Sequence, residues 1–307
     1  MEHRRIGKLE VSVVGLGCNN FGWRIDKKAT GAVVDEALAA GINFLDTADM
    51  YGTGQSEEFL AEALGGRRKS IVLATKFGFS MGEGKSGASP AYIRQAADAS
   101  LSRLKTDYID LYQLHTPDPN TPIAETLDAL GYLVKTGRVL EIGCSNFSAE
   151  QLREAEAAVQ QGAPRFVSVQ NQYSLIHRAP EADVLPECER QNVAFLPYFP
   201  LASGLLSGKY RKGQPSPDNS RGKDGWGPAF FTETNLDFVE LLDDFAASHG
   251  HSLLELAVSW LAAQPQVASV IAGAKTPEQA KANAEAANWQ LSKEDLSQID
   301  AIVMQTA

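Results

Sequence analysis

The sequence predicts a (β/α)8 barrel of eight parallel strands, preceded by an N-terminal β-hairpin. Three observations carry that expectation. Short apolar runs rich in Leu and β-branched residues alternate with longer amphipathic runs from end to end. No block of consecutive strands interrupts the alternation, so the sheet should be parallel with helices outside it. The G-x-G-x-x-G turn of the rival doubly wound sheet is missing, because Gly15-Leu-Gly17-Cys18-Asn-Asn20 breaks the pattern at its last position. All 307 residues are therefore expected to form one barrel domain, 1–307.

In chain order, Arg4-Arg5-Ile6 and Leu9-Glu10-Val11 flank Gly7-Lys8 and read as a hairpin placed to cover the barrel floor. The eight strands are expected at residues 13–17, 43–46, 71–76, 108–113, 140–145, 167–170, 194–198 and 269–272. The intervening helices have readable ends. Ser89-Pro90, Thr121-Pro122 and Thr276-Pro277 each set a capping hydroxyl before a proline at the first helical position, and Ser148-Ala-Glu-Gln151 makes a capping box. Gly41, Gly65 and Gly137 stand where helices should stop, since glycine enters the left-handed conformation without strain. Residues 207–234, after the seventh strand, are rich in Gly, Pro, Ser and Asn. They read as a long loop, functional or disordered, on the face where barrels do their chemistry.

Composition excludes several functions. Hydrophobic residues make up 44%, charged residues 21% and aromatics 8%, which is the profile of an ordinary soluble domain. A formal charge of −10 gives no overall attraction to a phosphate backbone, so no nucleic-acid partner is expected. Residues 1–7 carry no export signal, and no apolar run is long enough for a membrane span. Cys18, Cys144 and Cys188 are odd in number and form no C-x-x-C pair, which fits a reducing compartment and the expectation of a cytoplasmic protein. The segment Gly78-Phe-Ser-Met-Gly-Glu-Gly84-Lys85-Ser86 has the wrong spacing for a phosphate-cradling P-loop. The five histidines make no H-E-x-x-H pair, so no metal is expected, and Gly143-Cys-Ser145-Asn-Phe147 lacks the last glycine of a nucleophile elbow.

In a parallel barrel, reactive side chains gather where strands end and loops begin. Asp46 closes the second strand, Tyr51 follows five residues later, Lys76 closes the third strand, and His115 follows the fourth. A carboxylate keeps a neighbouring lysine charged, and that charge should lower the phenol pKa of Tyr51 and make it a proton donor. Each residue also has a structural reading: Asp46 as a turn cap or ion-pair partner, Tyr51 as a packing aromatic, and His115 as a loop-orienting group. Four such groups in register at successive strand ends favour chemistry.

Asn43-Phe-Leu-Asp46-Thr-Ala-Asp-Met-Tyr51-Gly52, Ala74-Thr-Lys76, Asp110-Leu-Tyr-Gln-Leu-His115 and Ile142-Gly-Cys-Ser-Asn-Phe147 closely resemble signature segments of the aldo-keto reductase superfamily. The segments around 200–210 and 273–279 look most like its bacterial branch related to potassium-channel β subunits. The resemblance implies that Asp46, Tyr51, Lys76 and His115 are a catalytic tetrad and that the cofactor is NADPH. It places Ser145, Asn146 and Gln170 on the nicotinamide carboxamide and Tyr198 against its ring. Gly17, Cys18, Leu201, Ser203, Lys209 and Arg221 also fall at cofactor positions, with Lys209 and Arg221 supplying positive charge to the pyrophosphate. Gly273, Lys275, Gln279 and Asn283 align with the adenosine end, where the helix opened by Thr276-Pro277 and the Lys275 cation favour a phosphate. Gln279 reads equally well as the far half of a Thr276 capping box. Ala272 and Ala282 depart from the proline and glutamate found in members of the family.

Trp23, Met50, Phe77 and Trp226, with Phe79 and Phe230, are expected to wall the substrate pocket. The resemblance thus implies NADPH-dependent reduction of a small-molecule carbonyl: an aldehyde, a small aromatic ketone or a dicarbonyl. Two other functions stay open at this point. One is an NADPH-binding regulatory or redox-sensing module with little turnover, and the other is a Schiff-base lyase that uses Lys76 as nucleophile.

Overall fold

The computed structural model describes residues 1–159, 164–214 and 227–306. An antiparallel hairpin comes first, β1 (His3–Ile6) and β2 (Leu9–Ser12), with His3 opposite Ser12 and Ile6 opposite Leu9. Eight parallel strands follow: β3 (Val14–Gly17), β4 (Phe44–Asp46), β5 (Val72–Phe77), β6 (Ile109–Leu114), β7 (Val139–Ser145), β8 (Phe166–Gln172), β9 (Ala194–Tyr198) and β10 (Val270–Gly273). Each strand from β3 to β8 pairs with the next, and β10 pairs with β3. The circle closes just before β10, where Phe195 N–H donates to Gln266 O (2.7 Å) and Ala268 N–H donates to Phe195 O (3.0 Å). This is the (β/α)8 barrel with an N-terminal hairpin that the alternation of runs implies.

Alternation along each strand then divides the interior into layers. Phe44, Ala74, Leu111, Leu196 and Ile271 point inward at one level and pack with Ile6, Leu9 and Val11 of the hairpin, which seals the floor. Gly15 makes room for this layer, since a Cβ there would stand 2.8 Å from Cδ1 of Phe44. Two residues further along their strands, Asp46, Lys76 and Gln113 form a polar level toward the carboxyl ends. Leu45, Leu73, Tyr112, Ile142, Val169 and Phe195 face the helices and are fully buried there.

Helix ends mostly follow the local chemistry. Ser89 accepts from Tyr92 N–H (3.4 Å) before Pro90, and Ser148 and Gln151 bond each other reciprocally at 3.2 and 2.9 Å. Gly41, Gly65 and Gly137 follow helices at φ 88°, 53° and 72°. Thr121 is an exception. The helix begins at Ile123 after an uncapped Pro122, because the Thr121 hydroxyl is already committed to Asp118 Oδ2 (2.8 Å), which also accepts from Ala88 N–H (2.7 Å). Of the stretch 207–234 only the ends are described, and they hold a short helix, Gly227–Phe230, and the start of another, Glu233–Ser248. Among the described residues, no helix is long and apolar enough to cross a membrane, and no group of three His, Cys, Asp or Glu side chains could hold a metal.

Candidate active site

The carboxyl-end rim of the barrel opens into a cleft of about 1080 Å³. At its base, Lys76 is fully buried and ion-pairs with Asp46, and its Nζ also donates to Thr47 O (3.0 Å). Asp46 Oδ1 accepts two further bonds, from Gln113 Nε2 (3.0 Å) and Gln170 Nε2 (3.1 Å). All the charges at the base are thereby matched. Burial disfavours the Lys76 ammonium, but Asp46 and Tyr51 outweigh it and hold its pKa above the ordinary lysine value.

Tyr51 lies over this pair, its ring centroid 5.2 Å from Lys76 Nζ. Burial raises its phenol pKa, and the opposing Lys76 charge does not overcome that effect, contrary to the lowering expected from the lysine alone. The phenol therefore stays protonated at neutral pH. His115 stands edge-on to Tyr51 with centroids 5.9 Å apart and is 8% exposed. Burial, then the Lys76 charge, pushes the His115 pKa well below its ordinary value, so the imidazole is neutral. Cys18 borders the same base, but burial and Asp46 push its thiol well up and leave it inert.

The neighbouring wall is a connected polar array. Ser145 Oγ donates to Gln170 O (2.7 Å), while Asn146 Nδ2 donates to His115 O (2.9 Å) and Ser145 Oγ (3.2 Å). Tyr198 OH donates to Asn146 Oδ1 (2.8 Å). Asn146 bends back toward His115 because it takes φ 62°, a conformation that asparagine tolerates. Gly17, Leu201, Ser203 and Lys209 line the cleft beyond this wall, and Gly273, Lys275, Gln279 and Asn283 line its far end. There the helix Pro277–Glu285 begins, capped by Thr276 Oγ1 accepting from Gln279 N–H (3.3 Å). The Gln279 side chain accepts from Lys275 N–H (2.8 Å) and so ties down the loop before the cap, which is not a capping box.

Trp23 and Met50 stand at the mouth, 64% and 38% exposed, together with Phe79, whose ring lies 4.6 Å from His115. Phe77 does not belong with them. As the last residue of β5 it faces outward, fully buried and stacked on Tyr112 at 4.7 Å, because its parity is opposite to that of Lys76. Phe230 packs against Phe199 at 5.9 Å. Arg221 and Trp226 lie outside the described residues. Sequence reasoning missed Gln113, although its parity with Leu111 on β6 marks it as inward-facing. Asn20 was missed as well; it lines the cleft and its Nδ2 donates to Ala274 O (3.1 Å).

Comparison with known proteins agrees with this geometry. The model of the Aldo/keto reductase family matches residues 13–304. A probable voltage-gated potassium channel subunit beta from Arabidopsis thaliana is 35% identical over 309 residues, covering 93% of this chain and 91% of that one. The structure of the glycerol dehydrogenase AKR11B4 from Gluconobacter oxydans superposes with a TM-score of 0.86 at 30% identity, over 99% of this chain and 96% of the other. The holo form of the aldo-keto reductase AKR11C1 from Bacillus halodurans does so with a TM-score of 0.82 at 35% identity, over 98% and 96%. A closed barrel with its polar residues at the strand ends, matched along nearly its whole length, places this protein in the aldo/keto reductase family.

Proposed function

We propose that this oxidoreductase reduces aldehydes and ketones to alcohols with NADPH, and that Tyr51 is the proton donor. One observation carries the reading: a neutral phenol and a neutral imidazole stand over a buried Lys76–Asp46 pair at the base of a cleft that reaches the helix following Lys275. The far end fits a dinucleotide, since Gly273 leaves bare backbone where a Cβ would stand 3.2 Å from Asn19 Oδ1, and the helix N-terminus beside it favours phosphate. Ser145, Asn146 and Gln170 would hold a carboxamide, and Lys275 with Gln279 and Asn283 the adenosine end. NADPH, when bound, supplies the hydride. His115 would hydrogen-bond the carbonyl oxygen and polarise it. Tyr51 then gives that oxygen its proton, with Lys76 stabilising the phenolate that remains. Trp23, Met50 and Phe79 would exclude water from an apolar substrate group.

A screen of aldehydes, ketones and dicarbonyls that follows NADPH consumption tests the reading, and no turnover on any of them would count against it. Lys275→Ala is expected to weaken NADPH binding by about tenfold to a hundredfold, the loss of one charged contact, while sparing NADH. Fluorescence titration with both cofactors checks this, and equal losses would show that Lys275 does not read the 2′-phosphate. Lys76, buried and ion-paired, is not free to form an imine. Borohydride treatment with a carbonyl substrate is thus expected to leave the Lys76 peptide mass unchanged, and an adduct there would favour a lyase.

A further inference from the structure

Beneath the tyrosine loop lies a second group of charges that the reduction chemistry does not use. Glu57, in the first turn of the helix Gln55–Leu64, is fully buried and ties two other elements together. Its Oε1 accepts from Thr75 Oγ1 (2.6 Å), next to Lys76 on β5, and its Oε2 accepts from Arg103 Nε (2.6 Å) on the helix Pro90–Leu104. Arg103 reaches Glu57 across Gly54, where φ is 93° and a Cβ would stand 2.8 Å from Arg103 Cδ. Asp49 enters the same group from the loop itself. It is 2% exposed, its Oδ1 has no hydrogen-bond partner, and its backbone N–H donates to Lys76 O (3.1 Å). The charged and titratable groups facing it are Glu57 and Arg103 from the two helices, Lys76 from β5, Tyr92 from the second helix and Tyr112 from β6. Two buried carboxyls therefore face one guanidinium, which is bonded to Glu57, while the Asp49 carboxyl has only a backbone hydrogen bond from Met50.

We propose that Asp49 is a positioning residue for Tyr51: as the neutral acid it lets the tyrosine loop lie on the Glu57–Arg103 pair, and its ionisation lifts that loop. A second anion beside Glu57, away from water, is unfavourable while Arg103 is already bonded. Moving the Asp49 carboxyl toward solvent relieves the repulsion, and the chain carries Tyr51, two residues on, with it. Burial, then the Glu57 charge, pushes the Asp49 pKa up to about 7, with Arg103, a backbone hydrogen bond from Met50 and Lys76 acting against them, so the transition falls in the neutral range. The raised value means that the folded chain binds the proton more tightly than the unfolded one. Stability from this group is complete below the ordinary 3.8 and is lost as pH rises to about 7.

The consequence for turnover rests on the reductase reading, whereas the charge effect and the loop movement do not, and the experiment separates them. In the protein without cofactor, denaturant unfolding is expected to show Asp49→Asn gaining on the parent from pH 3.8 to about 7 and holding a constant lead above. The Tyr51 ring resonance, assigned by its loss in Tyr51→Phe, should shift with the same midpoint in the parent and stay fixed in Asp49→Asn. Glu57→Gln removes the competing anion, so it should move the parent's midpoint to lower pH; this variant also serves if Asp49→Asn does not fold. In single-turnover reduction, the parent rate should fall about tenfold to a hundredfold across that midpoint, as a displaced donor requires, and Asp49→Asn should keep the acid-side rate. A pH-independent stability lead, or a Tyr51 shift that persists in Asp49→Asn, would overturn the proposal. Absence of any turnover with both structural effects present would instead count against the reductase reading.

Discussion

Tyr51→Phe is expected to slow hydride transfer by at least about a hundredfold while leaving NADPH affinity within a few fold, because general acid catalysis contributes about 10²–10⁴-fold. The substitution removes one oxygen and keeps the ring, so the edge contact with His115 at 5.9 Å and the placement over Lys76 should survive. Stopped-flow single turnovers are the appropriate measurement, since slow cofactor release can hide the chemical step in steady-state rates. A variant rate within tenfold of the parent would make Tyr51 a packing residue. The chain would then be better read as a cofactor-binding module with little turnover.

Lys76→Met should cost about 3–5 kcal/mol of stability, the range for breaking a buried ion pair and stranding its partner. Asp46 would keep its bonds from Gln113 and Gln170 but lose the cation that balances its charge in a fully buried place. Adding Asp46→Asn to Lys76→Met is expected to restore most of that stability, because a neutral amide oxygen still accepts from both glutamines. On the proposed mechanism activity should not return, since Lys76 would no longer be there to stabilise a Tyr51 phenolate. Equilibrium denaturation of the parent, the two single variants and the double variant forms the cycle that checks this. A double variant no more stable than Lys76→Met would show that the pair's charge is not what the fold depends on.

The barrel was legible because its signals are local. Each strand is a short apolar run, and each lies within two residues of its expected ends. The hairpin was legible in the same way, and its role as a floor follows from the apolar level above it. Asp46, Tyr51, Lys76 and His115 stand out in the sequence as strand-end residues, and the structure brings them together at the base of the cleft. The Thr121 cap failed because the hydroxyl has a rival partner, Asp118, that propensity does not register. Phe77 is not a pocket wall because the strand expected to stop at residue 76 continues through it as β5 and turns its side chain outward. The direction of the Tyr51 pKa failed because the lysine was visible in sequence and the burial was not.

The sequence by itself determined the alternation of strands and helices, the residues that stand on the rim, and the kinship of the chain. Only the tertiary structure decided which polar groups meet. Gln113 and Gln170 bind Asp46 from 67 and 124 residues away, and Arg103 binds Glu57 from 46. Periodicity places a side chain on a face of its own element, whereas these contacts depend on how elements distant in sequence close around one axis. Burial, which sets the protonation of Asp49, Tyr51 and His115, arises from the same closure and belongs to no single element.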